Sequence, residues 1–301
     1  MKPSNLNSAL SQTRLLTVLD RFAPALFVLF WSTGFLAGKA GVADSGPFHL
    51  VAIRFAIASL LLLSIALLTR APWPQRSQDI LHIIMAGLLV HAGYIGAVFT
   101  ALKEGVTAGQ IAMIVGLQPL LTALCASWLL NEKVSARRWL GLLTGLIGVG
   151  LVISPRLAQG VFTAEAAIGM PAALFALCSI SMGTIYQKRF CQGMDLRSGG
   201  AIQYAASALI IYFLIGSDDA APQWTAQFIF ALSWLVLVLS VGAIGLLYFL
   251  LERGEASKVV SYFYLVPAIT TLLGALIFGE SLTLLTAIGT ALVSLAVAIS
   301  S

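Results

Sequence analysis

Residues 117–132, LQPLLTALCASWLLNE, have a second copy in residues 265–280, LVPAITTLLGALIFGE. In each copy an apolar run carries a proline, Pro119 or Pro267, and ends at a glutamate 13 positions after it. A constant shift of 148 positions relates the two copies. Self-similarity at a fixed separation indicates that the chain contains two copies of one structural unit.

The amino-acid composition is that of a protein whose surface faces lipid. Of the 301 residues, 59% are hydrophobic and 10% are charged, with a mean hydropathy of +0.96. An average soluble domain is about 25% charged, so we expect an integral membrane protein. The three cysteines are an odd number and lie within or beside apolar runs, which predicts packing roles and no disulfide framework.

Ten apolar segments are candidates for membrane spans, because a spanning helix needs roughly 20 mostly apolar residues. We expect them at about residues 22–40, 48–69, 80–101, 107–130, 137–153, 166–187, 197–216, 227–250, 257–279 and 283–300. Residues 1–21 are expected to form a polar, flexible lead in the cytoplasm. The predicted fold class is all-α integral membrane, with ten transmembrane helices joined by short loops.

The repeat extends upstream of the prolines with a shift of 149 positions. Matched positions include Ser32, Gly34 and Lys39 with Ser181, Gly183 and Lys188. The chain therefore divides into two five-helix units, residues 22–153 and 154–301. Because five is an odd number, the second unit must cross the membrane in the inverted orientation. Inverted repeats are typical of secondary transporters, whose substrate site lies near the midplane at the repeat interface and which work by alternating access.

The distribution of basic residues supports this inversion. With the N-terminus in the cytoplasm, the inner segments hold 13 of the 17 Lys and Arg residues and the outer segments hold 3, as the positive-inside rule requires. Both termini are then cytoplasmic. The net charge of +5 is explained by cytoplasmic loops, so no nucleic-acid partner is expected. We expect a multi-pass membrane protein whose environment is the lipid bilayer.

Four features together resemble the EamA-type members of the drug/metabolite transporter superfamily. They are the paired five-helix units, the Pro…Glu signature, the Trp31-Ser32-Thr33-Gly34 segment and the Arg54-Phe55 pair. The resemblance covers nearly the whole chain. It implies a ten-helix inner-membrane carrier that exports amino acids or related metabolites.

Arg54 is the clearest candidate for binding chemistry, because a charge inside a span is costly and usually functional. A guanidinium can hold a carboxylate through two hydrogen bonds, which suits an amino acid or an organic acid. The alternative is an arginine that snorkels to the interface or pairs with a backbone carbonyl. The repeat counterpart of Arg54 is Gln203, so the two halves present different chemistry at matched depth.

His91 and Tyr94 are three residues apart in the third span and hence share one helix face. An imidazole can titrate near neutral pH, which makes His91 the candidate for proton coupling. The alternative is a structural histidine that is hydrogen-bonded between helices. Their repeat counterparts are Ser240 and Ala243, so this polar face belongs to one half only.

The two prolines have polar or aromatic neighbours that are candidates for lining a cavity. A proline inside a helix removes a hydrogen bond and frees backbone carbonyls nearby. Gln118, next to Pro119, and Tyr264, close before Pro267, are therefore expected to face the cavity. The prolines themselves are predicted to kink the fourth and ninth helices, either as hinges or as static bends that serve packing.

Glu132 and Glu280 are interpreted as structural anchors at the ends of the fourth and ninth helices. A carboxylate at a helix C-terminus opposes the helix dipole and needs a partner. Glu280 has no basic residue nearby in the sequence, so a basic group from elsewhere in the chain is expected. Lys39 and Lys188 are interpreted as interfacial anchors, with a pair of entrance charges as the alternative.

The predicted spans contain neither Asp nor Glu, which disfavours carriers of lipophilic cations. They also contain no paired carboxylates, metal-ligand cluster or phosphate-binding loop, so no catalytic residue, metal or cofactor is expected. The expected function is export of small molecules, with amino acids or amino-acid-like compounds first. Broad efflux of aromatic or amphiphilic xenobiotics is the alternative, and a membrane-embedded enzyme or a scaffold is more remote. Protons are a candidate coupling ion, and the sequence leaves the oligomeric state open.

Overall fold

The structure is a computed structural model that describes residues 3–129, 135–158, 164–217, 219–244, 246, 250 and 263–300. Within this part of the chain every regular element is helical. The described residues form helices α1 Pro3–Ala43, α2 Pro47–Leu68, α3 Ser77–Lys103, α4 Ala108–Gly116 with Gln118–Leu129, α5 Ala136–Ala158, α6 Ala164–Phe190, α7 Leu196–Phe213, α8 Ala226–Ala243, α9 Val266–Phe278 and α10 Leu284–Ser300. Their order is that of the ten predicted segments.

The polar lead is helical from Pro3 onward, as the first part of α1. Proline is favourable in the first turn of a helix. Between Pro3 and Pro24 the segment has neither glycine nor proline, and it holds five leucines, which are good helix formers. A polar sequence at this end of the chain is thus compatible with a helix.

Five of the described helices contain segments long and apolar enough to cross a membrane: Phe22–Ala43, Pro47–Leu68, Ser77–Lys103, Ile168–Phe190 and Ala226–Ala243. Shorter apolar helical segments are Ala108–Thr122, Trp139–Leu151, Val266–Phe278 and Leu284–Ala296. Large apolar side chains point outward, as a surface in contact with lipid requires. Leu276 is 73% exposed and Phe213 is 71% exposed. The chain is a multi-pass membrane protein.

The helix contacts follow the symmetry of the repeat. Three pairs of equivalent helices pack on each other: α2 on α7, α4 on α9 and α5 on α10. The remaining major contacts occur in matched sets, because α1 packs on α8 and α9 while its counterpart α6 packs on α3 and α4. A pattern in which these major contacts have equivalents is that of two units related by a two-fold operation. The fold is therefore two inverted five-helix repeats.

Helices α3 and α8 each contain a π-helical segment, Leu88–Gly93 and Trp234–Ala243. The shift of 149 positions places the first segment inside the second. Serine hydroxyls from neighbouring helices occupy backbone carbonyls around the first segment, since Ser207 donates to Gly87 at 3.0 Å and Ser179 donates to Leu89 at 2.9 Å. π-Helical turns are often found at functional sites, and these lie at the level of the candidate residues.

The two prolines stand at the start of helical segments and not in the interior of a continuous helix. α4 is interrupted at Leu117 and resumes at Gln118, and a 3-10 turn, Phe263–Leu265, precedes α9. A proline is tolerated in the first turn of a helix, where its missing N–H has no intrahelical acceptor to lose. The predicted kinks are thus breaks. They pack together, because a Cβ on Gly116 would lie 2.9 Å from Cγ of Pro267.

Candidate functional site

Arg54 lies about 10 Å along α2 from its first residue, by the rise of 1.5 Å per residue, and its side chain is buried. Its Nη2 donates to Oγ of Ser240 on α8 at 3.4 Å. The Nε is buried without a hydrogen-bond partner, and the guanidinium lies 5.9 Å and 5.8 Å from the ring centroids of Phe55 and Phe99. Within the described part of the chain, no carboxylate forms an ion pair with Arg54.

A cavity of about 110 Å³ opens beside Arg54. Its walls come from α1, α2 and α3 of the first unit and from α6, α7 and α8 of the second, with lining residues that include Trp31, Arg54, Val90, His91, Tyr94, Phe99, Ile180, Tyr204 and Leu239. The cavity therefore lies at the interface between the two repeats. Of the predicted candidates, Arg54, His91 and Tyr94 share this one cavity.

An aromatic stack forms one side of the cavity. The rings of His91 and Tyr204 are 4.1 Å apart and inclined by 22°, and Phe55 contacts both, with centroid distances of 5.7 Å to His91 and 5.4 Å to Tyr204. Tyr204 was absent from the sequence-based candidates. The signal that points to it is the repeat itself, because the shift of 149 positions places Phe55 on Tyr204.

Gln203 stands beside the cavity, and its side chain is buried and interacts with that of His91. Under the repeat shift Arg54 corresponds to Gln203, and Ser240 corresponds to His91. The contact between Arg54 and Ser240 is therefore the equivalent of the contact between Gln203 and His91. The same pair of helix positions meets in both halves, but only one half carries a charge.

The two candidates beside the prolines lie elsewhere. Gln118 is outside the described lining of this cavity and donates from Nε2 to Oγ1 of Thr184 at 3.0 Å, which joins α4 to α6. Tyr264 belongs to the 3-10 turn before α9, and its side chain is outside the described residues. Its neighbour Phe263 stacks edge-on against Trp31 at 4.9 Å, so this turn is joined to the cavity wall through Trp31.

Glu280 is held by groups from two other helices. Nζ of Lys39 lies 2.6 Å from its Oε1, and the same oxygen accepts from the backbone N of Ala108 at 3.2 Å. The Lys39 ammonium also lies 4.6 Å from the ring centroid of Phe278. The basic partner expected from elsewhere in the chain is thus Lys39, and Glu280 ties α9 to α1 and to the start of α4. Glu132 lies outside the described residues.

The starts of α2 and α7 are each capped by an aspartate from a loop, and for α2 that loop belongs to the other unit. At the start of α2, Asp219 accepts from the backbone N of Phe48 at 3.3 Å and of His49 at 2.8 Å. At the start of α7, Asp195 accepts from the backbone N of Arg197 at 2.9 Å. The hydrogen bond and charge of the Arg197 side chain lower the pKa of Asp195. Each loop therefore fixes one end of the α2–α7 pair.

No group of three or more His, Cys, Asp or Glu side chains in the described ranges is placed to hold a metal ion. What the described interior offers is one buried guanidinium, an aromatic stack and a small cavity between two inverted five-helix units. That combination is the architecture of a membrane carrier with internal repeats and its binding site at their interface.

The chain belongs to the EamA-like transporter family, which matches residues 22–154 and 167–301, and hence to the drug/metabolite transporter superfamily. It is 31% identical over 271 residues to the uncharacterized transporter YvbV of Bacillus subtilis, covering 86% of this chain and 84% of that one. It is 28% identical over 261 residues to the uncharacterized inner membrane transporter YedA of Escherichia coli, with coverages of 86% and 83%. A crystal structure with 21% identity superposes with a TM-score of 0.63 over 93% of this chain and 96% of the other, which shows a shared fold.

Proposed function

We propose that this transporter is an inner-membrane exporter of small metabolites that carry a carboxylate, with amino acids and amino-acid-like compounds as the first substrates to test. The observation that carries the proposal is Arg54, a buried charge at the repeat interface that has no carboxylate partner in the described structure. Export occurs by alternating access, in which the two repeats switch between two arrangements. Both termini are proposed to lie in the cytoplasm.

Arg54 is a buried cation that has no carboxylate partner among the described residues. Ionisable groups inside a membrane face a cavity or a partner because an isolated charge there costs several kcal/mol. A carboxylate in the cavity would supply the missing partner, and its hydrogen bonds with a guanidinium are of the strong, charge-assisted kind. A substrate cation would instead be repelled. The cavity therefore favours anionic or zwitterionic molecules over cationic ones.

A second candidate function is broad efflux of aromatic or amphiphilic compounds. The observation that favours it is the aromatic wall formed by Phe55, His91 and Tyr204 on one side and Trp31 on another. Aromatic faces bind flat apolar molecules with little demand for a particular functional group. The two functions differ in their need for Arg54, because a neutral aromatic compound has no carboxylate to pair with the guanidinium.

His91 is the proposed coupling residue if protons drive transport. Its ring contacts Tyr204 and Phe55, interacts with Gln203 and lines the same cavity as Arg54. A protonated His91 would place a second positive charge in the cavity, next to that of Arg54. The protonation state of His91 would therefore change the affinity of the cavity for an anion, which is the kind of coupling between substrate and proton that a proton-driven carrier requires.

The experiment is flux of a panel of radiolabelled amino acids from liposomes that contain the purified protein. Arg54→Ala removes a charge-assisted contact worth about 1.5–3 kcal/mol, so we expect flux at low substrate concentration to fall about 10- to 100-fold. Arg54→Lys should keep part of the flux of the parent protein. Arg76→Ala, at an exposed position, should keep all of that flux. Full flux in Arg54→Ala would overturn the proposal, and flux that ignores an imposed pH gradient would remove His91 from coupling.

A further inference from the structure

A second cavity, of about 190 Å³, lies between the loop that joins α2 to α3 and the loop that joins α6 to α7. Trp73 and Asp79 line one side, and Cys191 and Met194 line the other. By the positive-inside rule this is the cytoplasmic end of the molecule. The cavity of Arg54 lies further along the same three helices α3, α6 and α7, because His91, Ile180 and Tyr204 come from them.

A layer of three side chains, those of Gln187, Met194 and Gln203, connects the lining of one cavity to that of the other. Nε2 of Gln203 lies 3.5 Å from Oε1 of Gln187 and 3.9 Å from Sδ of Met194, while the same Gln203 side chain interacts with His91 in the cavity of Arg54. Met194 rests in the space left by Gly199, because a Cβ at Gly199 would collide with its side chain. The layer consists of one flexible thioether and two amides.

The matched place at the opposite end of the molecule is tightly packed. The repeat shift places Gln187 on Gly38, and a Cβ at Gly38 would lie 2.7 Å from Phe99 and 3.1 Å from Leu102. Nζ of Lys103 donates to the carbonyl of Val42 at 3.0 Å. The outer end is thus filled by aromatic and apolar side chains and tied by the hydrogen bond of Lys103, whereas the inner end holds a cavity.

We infer that the cytoplasmic cavity is the entrance through which small organic anions reach Arg54, and that Met194 and Gln203 form its gate. The inference rests on the proposed function for the identity of the cargo. Methionine has three rotatable bonds and repacks easily, so Met194 can swing aside without moving a helix. The amides of Gln203 and Gln187 offer N–H donors to a passing carboxylate, and they carry no charge that would trap it.

Site-directed labelling tests the route with sulfonatoethyl methanethiosulfonate, a membrane-impermeant organic anion that reacts with thiols. The test variant carries Val90→Cys in the wall of the Arg54 cavity, with the three native cysteines replaced by alanine. A chain whose only cysteine is Cys191 reports arrival in the cytoplasmic cavity and so identifies the accessible face. Burial and the nearby Asp79 carboxylate raise the pKa of the Cys191 thiol, so labelling is run at mildly alkaline pH. A chain whose only cysteine is Cys178, which is exposed on the surface of α6, is the control for non-specific access.

We expect Val90→Cys to be labelled from the face that labels Cys191. Met194→Trp should abolish labelling at position 90 without changing the labelling of Cys191. Met194→Ala should accelerate labelling at position 90. Labelling of Cys191 with none at position 90, or a rate at position 90 that neither substitution changes, would overturn the entrance. Amino-acid flux is measured on the same preparations with native Val90. If position 90 is labelled from the Cys191 face but no amino acid is transported, the entrance is supported and the proposed substrates are contradicted. If amino acids are transported but position 90 is not labelled from that face, the proposed substrates are supported and the entrance is contradicted.

Discussion

The two halves of this transporter build the same contact with different chemistry. In one half Arg54 of α2 meets Ser240 of α8, and in the other Gln203 of α7 meets His91 of α3. The helices, the π-helical segments and the depth correspond, so the fold is nearly symmetric where the side chains are not. The symmetry positions the cavity at the interface, and the residues that break it decide what the cavity binds.

Moving the charge from one half to the other is the sharpest test of this comparison. Arg54→Gln gives both halves the same amide, and we expect carboxylate flux to fall about 10- to 100-fold, because the charge-assisted hydrogen bond is lost. Adding Gln203→Arg returns one guanidinium to the cavity at the matched position. Flux should recover in part, since the new charge faces His91 instead of Ser240. Flux is measured in liposomes under an outward substrate gradient.

The matched control for the charge swap is thermal stability in detergent. Arg54 has a buried Nε without a hydrogen-bond partner, so Arg54→Gln should leave the midpoint of unfolding unchanged or higher. A loss of flux accompanied by a lower midpoint would mean that Arg54 is structural, and the comparison between the halves would then say nothing about substrate. Complete rescue of flux by Gln203→Arg would show that the depth of the guanidinium in the membrane is sufficient, whichever half carries it.

Sequence reasoning found the repeat, the order of the helices and Arg54, His91 and Tyr94 as candidates, because burial of charge and fixed spacing are visible in one dimension. It missed the π-helical segments, since one extra residue in a helical turn leaves almost no trace in an apolar pattern. It also missed the layer of Gln187, Met194 and Gln203. Contacts between separate helices are set by packing in three dimensions, and the spacing of residues within each helix does not encode them.

Packing of the two glycines at matched positions extends the comparison to stability. A Cβ at Gly183 of α6 would lie 2.7 Å from Cγ2 of Val90 and 3.2 Å from the Val90 backbone N, whereas a Cβ at Gly34 of α1 would lie 3.0 Å from Cδ1 of Leu239. Val90 is the repeat counterpart of Leu239. The backbone of α3 cannot yield, but the end of a leucine side chain can.

We therefore expect Gly183→Ala to destabilise the protein by about 1–3 kcal/mol through overpacking. Gly34→Ala should cost less, because the Leu239 side chain can rotate away. Unfolding midpoints in detergent, converted to free energies against the parent protein, measure both. Equal losses of stability in Gly183→Ala and Gly34→Ala would show that the two interfaces are equally rigid and would contradict this expectation.

The smallest expected effect compares the starts of α2 and α7. Asp219 belongs to the second unit and caps α2 of the first, whereas Asp195 caps its own helix. Loss of a cap costs about 0.5–2 kcal/mol, so we expect Asp219→Ala near the upper end, because it also unties the units, and Asp195→Ala near the lower end. Arg197 lowers the pKa of Asp195, so its contribution is present at neutral pH and is lost as the pH falls through that lowered value. Unfolding midpoints followed from neutral to acidic pH should thus converge for the parent and Asp195→Ala, and a constant difference between the two would show that the cap does not depend on the ionised carboxylate.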